Sequence, residues 1–455
     1  MTDSARPGPQ ARVHLPLLAP PVRTFLSTEA GGAVLLLAAT VVALVWANLA
    51  PGSYVHLWST TAGFHVGGTS LELDLHGWVN DAAMAVFFLV VGLEISREAT
   101  VGDLRNPRSI AVPALGALGG LTVPALLYVL VNHSGEAAHG WGVVMSTDTA
   151  FLVGVLALFG PRCPDQLRLF LLTLAIVDDI GAITVMAVFY TPHVHWLPLG
   201  IAAVLTLGIV ALRWLRIWRL GPYAAIGVAL WLAVHASGVH ATLAGVLVGL
   251  LLPARPPARV HADSVPAWAR RLQERTTADR AHQTELAARA AVPTADRAQR
   301  FLHPWSAYAV VPLFGLANAG IRLDGPALTG ALHSRITIGV VVALVLGNAI
   351  GIFGVSSLAL RGGLGELPGR VRYGHLLGGA MLAGIGFTIS LFIAELAFRD
   401  DALREQAKIG ILAGSLIAAL LGTALLRILG ERLPLCSPAG LPDALPPRPW
   451  LEPVG

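Results

Sequence analysis

The chain has 455 residues, 55% of them hydrophobic and only 13% charged. A soluble domain carries about 25% charged residues, so the composition excludes an ordinary globular protein and points to a polytopic membrane protein. The net charge of +4 is spread over loops rather than gathered on one face, which excludes a nucleic-acid surface.

In chain order, residues 1–29 form an arm with many prolines, which does not read as a cleaved signal peptide. Apolar stretches long enough to cross a ~30 Å hydrocarbon core then recur. They cover residues 31–50, 76–96, 109–131, 140–160, 167–189, 196–215, 221–237, 239–253, 304–322, 336–360, 374–397 and 407–428. The fold class is an all-α membrane protein of about twelve transmembrane helices. Helices 1–8 occupy 30–253 and helices 9–12 occupy 304–430. Between the first two spans, residues 53–75 hold Gly67-Gly68 between alternating residues, the signature of a small external β-hairpin. Residues 254–303 form an insert rich in Arg, Ala and Glu, either a surface helix or a linker. The tail 431–455 is proline-rich and reads as disordered.

Charge asymmetry predicts the orientation. The segments between spans one and two, three and four, and five and six carry no Lys or Arg. The opposite set carries Arg97, Arg105 and Arg108, then Arg213, Arg216 and Arg219, then Arg361, Arg370 and Arg372. That set is therefore cytoplasmic, with the insert and both termini. Arg322, Arg335, Arg399, Arg404 and Lys408 fall on the outside against the rule. Cys163 and Cys436 lie in predicted cytoplasmic segments, where a disulfide does not persist. No CxxC, HExxH or GxxxxGK[ST] pattern occurs, so no cofactor is expected.

Three carboxylates interrupt apolar segments. Asp178 and Asp179 lie in the middle of Leu171–Ile183, and Asp148 follows Ser146-Thr147 in the fourth span. Each costs roughly 2.5–3.5 kcal/mol at the centre of a membrane helix, very roughly 8–10 kcal/mol if summed. Such residues face a water-filled cavity and handle ions or protons. Successive helical residues point about 100° apart, so Asp178 and Asp179 cannot face one spot. One faces the cavity centre while the other lines the route to it. A hard monovalent cation wants oxygen ligands, and a proton competes for the same oxygens. That competition suffices for exchange if the two sides are exposed alternately.

The trios of spans three to five and ten to twelve have opposite orientations. Each has a middle member interrupted by small or polar residues: Ser146–Thr149 in one, Ala383-Gly384-Ile385-Gly386-Phe387-Thr388 in the other. Such a pair marks an inverted-repeat transporter with its site at the midplane. The half-helix ends bring partial charges of about ±0.5. Asp148 would stabilise the positive ends, and the negative ends need a donor.

Several motifs together resemble the NhaA-type sodium/proton antiporters of bacteria: Ser146-Thr147-Asp148, Ala175–Ile183, Ser237–Gly245, Gly384–Thr388, Phe87–Glu94 and Pro312–Gly320, in order over about 27–430. The resemblance implies two crossing interrupted helices, exchange of Na⁺ or Li⁺ for H⁺, and residence in the bacterial inner membrane. It gives Asp178 and Asp179 as the Na⁺ ligands, Asp178 nearer the gate, with Thr147 and Asp148 at the break. Glu94 and His240 match positions tied to the pH response, Asp81 an acid near the start of the second span, and the external hairpin a homodimer contact; Glu98, a titratable group outside the ion centre, is assigned to the pH response with them. The chain departs from the family at Asn348, where a lysine is usual. Asn348 cannot titrate, but it can donate to the broken-helix carbonyls, as Gly384 and Gly386 allow the break itself. Loss of the lysine implies fewer protons per Na⁺, unless Asp178 and Asp179 both release protons. Intramembrane aspartyl proteolysis also uses membrane carboxylates, but its Gly-x-Gly-Asp context does not occur. A cation channel is the other alternative.

Overall fold

The computed structural model describes residues 29–432 apart from 67–68, 103–104, 106, 160–164, 192–193, 256–258 and 366–370. The predicted arm and tail, the Gly67-Gly68 turn, Cys163 and Cys436 lie outside the described residues. Helix α1 (Glu29–Leu49) and the short α2 (Pro51–Trp58) lead to strands β1 (Thr61–Val66) and β2 (Thr69–Asp74). The strands pair antiparallel, with Thr61 opposite Asp74 and Val66 opposite Thr69, as alternation around Gly-Gly predicted. Asp74 then caps the next helix by accepting from the Gly77 N–H at 2.7 Å, which starts α3 (Leu75–Thr100).

Helices α4 (Pro107–Val131), α5 (Thr149–Phe159) and α6 (Asp165–Phe189) follow, with a 3₁₀ turn, Glu136–Val144, ahead of α5. Helices α7 (Trp196–Trp214), α8 (Leu220–Ala236) and α9 (Thr242–Leu251) come next. Gly238, at φ +79°, makes the turn between α8 and α9, where an L side chain would be strained. The insert is helical: α10 (Arg259–Glu274) and α11 (Ala278–Ala291) pack together, and the Arg280 guanidinium donates to the Arg271 carbonyl at 2.7 Å. Helix α12 (294–318) runs without a stop across the position where the ninth span was expected to begin. The remaining helices are α13 (Gly325–His333), α14 (Arg335–Arg361), α15 (Tyr373–Leu382), α16 (Phe387–Ala397) and α17 (Asp401–Arg432).

All twelve predicted segments contain helix. Among the described residues, seven helices are long and apolar enough to cross a bilayer singly, and α15 with α16 makes an eighth, bent by 45°. Ser146–Asp148 interrupts the fourth predicted span, and the seventh and eighth are short helices, Leu220–Ala236 and Thr242–Leu251, parted at Gly238.

The two trios meet along their first members. Gly119 of α4 and Gly351 of α14 are reciprocal: a Cβ on Gly119 would lie 2.3 Å from the Gly351 carbonyl oxygen, and one on Gly351 would lie 2.2 Å from that of Gly119. Close backbone approach of this kind drives helix association where lipid removes the hydrophobic contribution. Gly119→Ala forces the helices apart, and such overpacking costs about 1–3 kcal/mol. A lowered melting temperature in detergent is the expected result, and an unchanged one would contradict this packing.

Candidate functional site

Both interrupted segments open their backbone at one place. Residues 146–148 have no regular structure ahead of α5, and 383–386 form an open turn between α15 and α16. The Asp148 N–H donates to the Ile385 carbonyl at 2.5 Å, so the two breaks touch. Each break frees two helix ends, four in all, and each must find partners at a depth without water.

Asp148 serves both positive ends. Its Oδ1 accepts from the Phe151 N–H at 3.0 Å, capping α5. Its Oδ2 accepts from the Thr388 N–H at 2.8 Å and from the Thr388 hydroxyl, capping α16. One carboxylate thus neutralises two N-termini 240 residues apart in the chain. Thr147 serves a negative end: its hydroxyl donates to the Ala383 carbonyl at 2.9 Å, just past the end of α15. The Thr388 hydroxyl is thus spent on Asp148.

Asp178 and Asp179 come from the unbroken α6, which packs beside α4, and they diverge as helical geometry requires. The Asp178 Oδ2 accepts from the Thr147 N–H at 2.7 Å, so this carboxylate braces the break. Asp179 points the other way. It is 7% exposed and its Oδ1 has no hydrogen-bond partner. A cavity of about 170 Å³ is lined by Asp179, Asp148, Thr388, Glu94, His303 and Tyr308, among others. Its wall includes Gly32 near the start of α1 and Glu94 in the last turns of α3. Both ends lie away from the hairpin, so the cavity leads toward the opposite face. Asp178 and Thr147 do not line it.

The small residues behave as the break requires. A Cβ on Gly384 would lie 2.3 Å from the Leu344 carbonyl oxygen, and one on Gly386 would lie 2.9 Å from that of Ser146. Asn348 does not donate to the broken-helix carbonyls. Its amide donates to the Leu344 carbonyl at 3.3 Å, inside a wide turn of its own helix at Ala343–Gly347. It therefore reaches the break only through Leu344, because α14 points its side chain back along the helix.

The four residues assigned to the pH response do not gather. Glu94 is on the cavity wall, and Glu98 is one turn further along α3 and outside the lining. Asp81 and His240 sit near the hairpin end. The Asp81 carboxylate pairs with His235 of α8 at 3.3 Å, and the His240 ring contacts the Tyr190 carbonyl at 2.7 Å. His235 was missed in the sequence, since nothing local marks a partner 154 residues away. His303, Ala307 and Val311 on the cavity wall do carry a signal: they recur every four residues, one face of α12.

Two broken segments, crossing at a buried carboxylate with an open cavity beside it, define a secondary transporter for a small cation. The sequence model of the family described as Na⁺/H⁺ antiporter 1 matches residues 23–426, and the chain belongs to that family. It is a multi-pass membrane transporter, not an enzyme. The chain is 63% identical to Na(+)/H(+) antiporter NhaA 3 of Frankia alni over all of this chain and 99% of that protein. It is 43% identical to Na(+)/H(+) antiporter NhaA of Syntrophobacter fumaroxidans, over 90% of this chain and 91% of that one. Identity to Na(+)/H(+) antiporter NhaA 1 of Mycolicibacterium gilvum is also 43%, over 88% of this chain but only 65% of the longer relative. The solved structure of the sodium proton antiporter MjNhaP1 from Methanocaldococcus jannaschii at pH 8 is a remote likeness. It has 14% identity and a TM-score of 0.48 over 89% of this chain and 99% of that one.

Proposed function

We propose that Na⁺ or Li⁺ and H⁺ exchange at Asp179, supported by Asp178, Asp148 and Thr147. The observation that carries this reading is the Asp179 Oδ1: a buried carboxylate oxygen without a partner, on the wall of a cavity that leads to one face. Asp148 and Asp178 already spend oxygens on backbone N–H groups, so they hold the frame, with Asp178 close enough to share charge with its neighbour. A cation arriving through the cavity passes Glu94 and displaces the proton that Asp179 otherwise holds. When the crossed segments rock, the loaded oxygens turn to the other face. Neither proteolysis nor a continuously open channel draws support from this site.

The hairpin face is external and both termini are cytoplasmic in a bacterial inner membrane, by the arginine asymmetry between loops. The exposed edge of the hairpin offers a contact for a homodimer. Glu94, Glu98, His240 and Asp81 are assigned to the pH response.

With Asn348 at the position of the family's lysine, one titratable site is removed and proton carriage at the break falls to the aspartates. Proton movement driven by Na⁺ in sealed vesicles tests the transport reading, and an imposed membrane potential tests the role of Asn348. The expected result is exchange with Na⁺ and with Li⁺, and a rate and reversal point that depend only weakly on voltage. No proton movement would contradict the transport reading. A strong voltage dependence would show that both adjacent aspartates release protons.

A further inference from the structure

Between the ion site and the hairpin face the route is shut by two successive layers. The first is apolar. Phe392 of α16 packs on Phe88 of α3, with ring centroids 5.4 Å apart, and on Phe314 of α12 at 6.3 Å. All three rings are at most 2% exposed. The second layer is polar. Asn318, one turn beyond Phe314, is fully buried; its Oδ1 contacts the His76 ring at 3.0 Å, and its amide donates to Asn80 at 2.9 Å. Glu395, one turn beyond Phe392, is paired with Lys408 of α17, with the Arg404 guanidinium 3.5 Å from its other oxygen. Arg404 also pairs with Asp401. At 1.5 Å per residue, Glu395 stands about 10 Å along α16 from Thr388.

The charge pattern of the loops placed Lys408 on the outside. The structure largely buries it together with Glu395: the Glu395 and Lys408 side chains are 9% and 13% exposed. Lys408 is the only lysine in the chain. A buried ion pair is weak evidence for stability, since apolar side chains of similar size often do as well. Such a pair does differ from an apolar contact when it opens, because two charges rehydrate readily and two apolar groups do not. A charged contact therefore suits a seam that must part and face water in every cycle. Glu395 also sits at the far end of the short rod whose near end is capped by Asp148, so this one helix joins the seam to the ion site.

We propose that the Glu395–Lys408 pair is the latch of the hairpin-side half of the ion route, holding the end of α16 against α17 above the Phe88–Phe314–Phe392 plug. The pair parts and hydrates when the site turns to the hairpin face. This rests on the alternating-access reading above.

The test is thiol accessibility. Ala317, 5% exposed between Phe314 and Asn318, is replaced by cysteine in a chain carrying Cys163→Ser and Cys436→Ser. A membrane-impermeant maleimide is then added from the hairpin face. Glu395→Gln/Lys408→Met removes both charges and strands neither, so it folds more safely than a single neutral variant. It is expected to label about tenfold faster than the parent. Lys408→Arg keeps the charge and is expected to label slowly. Parental labelling of the double variant, or fast labelling of Lys408→Arg, would overturn the latch. Repeating the measurement with Asp179→Asn separates the two readings. Intact exchange in that chain, with the labelling pattern preserved, would fault the ion-site assignment and leave the latch standing.

Discussion

Asp179→Asn is expected to abolish exchange while the protein inserts and folds at least as well as the parent. Asparagine has nearly the same shape and keeps one acceptor, but it cannot bind a cation by charge or carry a proton across the cycle. A contact to a charged group contributes about 1.5–3 kcal/mol, so cation binding should weaken by roughly a hundredfold. Folding moves the other way. The buried Oδ1 of Asp179 has no partner to lose, and removing a carboxylate from mid-membrane relieves roughly 2.5–3.5 kcal/mol. Loss of Na⁺-driven proton flux with an unchanged or raised melting temperature is the signature. Asp178→Asn provides the contrast. It keeps an acceptor for the Thr147 N–H and leaves the cavity wall intact, so turnover should fall less than in Asp179→Asn. An equal loss in the two variants would mean that both carboxylates are ligands of comparable weight.

Asp148→Ala should damage folding as well as affinity. The charged carboxylate accepts three hydrogen bonds, from the Phe151 N–H, the Thr388 N–H and the Thr388 hydroxyl. At about 1.5–3 kcal/mol each they sum to roughly 4.5–9 kcal/mol, which exceeds the roughly 2.5–3.5 kcal/mol cost of a carboxylate at that depth. The net effect is a destabilisation of a few kcal/mol. It should appear as a low yield of folded protein and a weaker apparent Na⁺ affinity, because α5 and α16 lose their common cap. Asp148→Asn should be intermediate. One of its terminal atoms is a donor, so it can cap one helix and must oppose the other. A full yield from Asp148→Ala, with only maximal turnover reduced, would refute the double-cap account.

The depth of the three aspartates and the interruption of two segments were legible in the sequence, because charge and small residues are rare in apolar runs. The hairpin was legible for the same local reason, alternation around Gly67-Gly68. The division of labour among the carboxylates was not. That Asp148 caps two helices depends on Thr388, and that Asp178 is tied to Thr147 while Asp179 is left open depends on the rotation of α6 relative to a break 31 residues earlier. Asn348 shows the limit from another side. Its chemistry permits donation to the broken-helix carbonyls, yet the carbonyl of Leu344 lies nearer and takes the bond. Lys408 was placed outside because a charged cluster, Arg399–Lys408, follows a hydrophobic run. Only the packing of α16 on α17 shows that this lysine is largely buried against Glu395.

Proton release on adding Na⁺ to the purified protein, in weakly buffered detergent solution at fixed pH, tests the central claim most directly. If Asp179 holds either a proton or a cation, Na⁺ should release protons saturably, Asp179→Asn should release far fewer, and Asp178→Asn should retain much of the signal. Undiminished release from Asp179→Asn would contradict the assignment of the exchange site to that carboxylate.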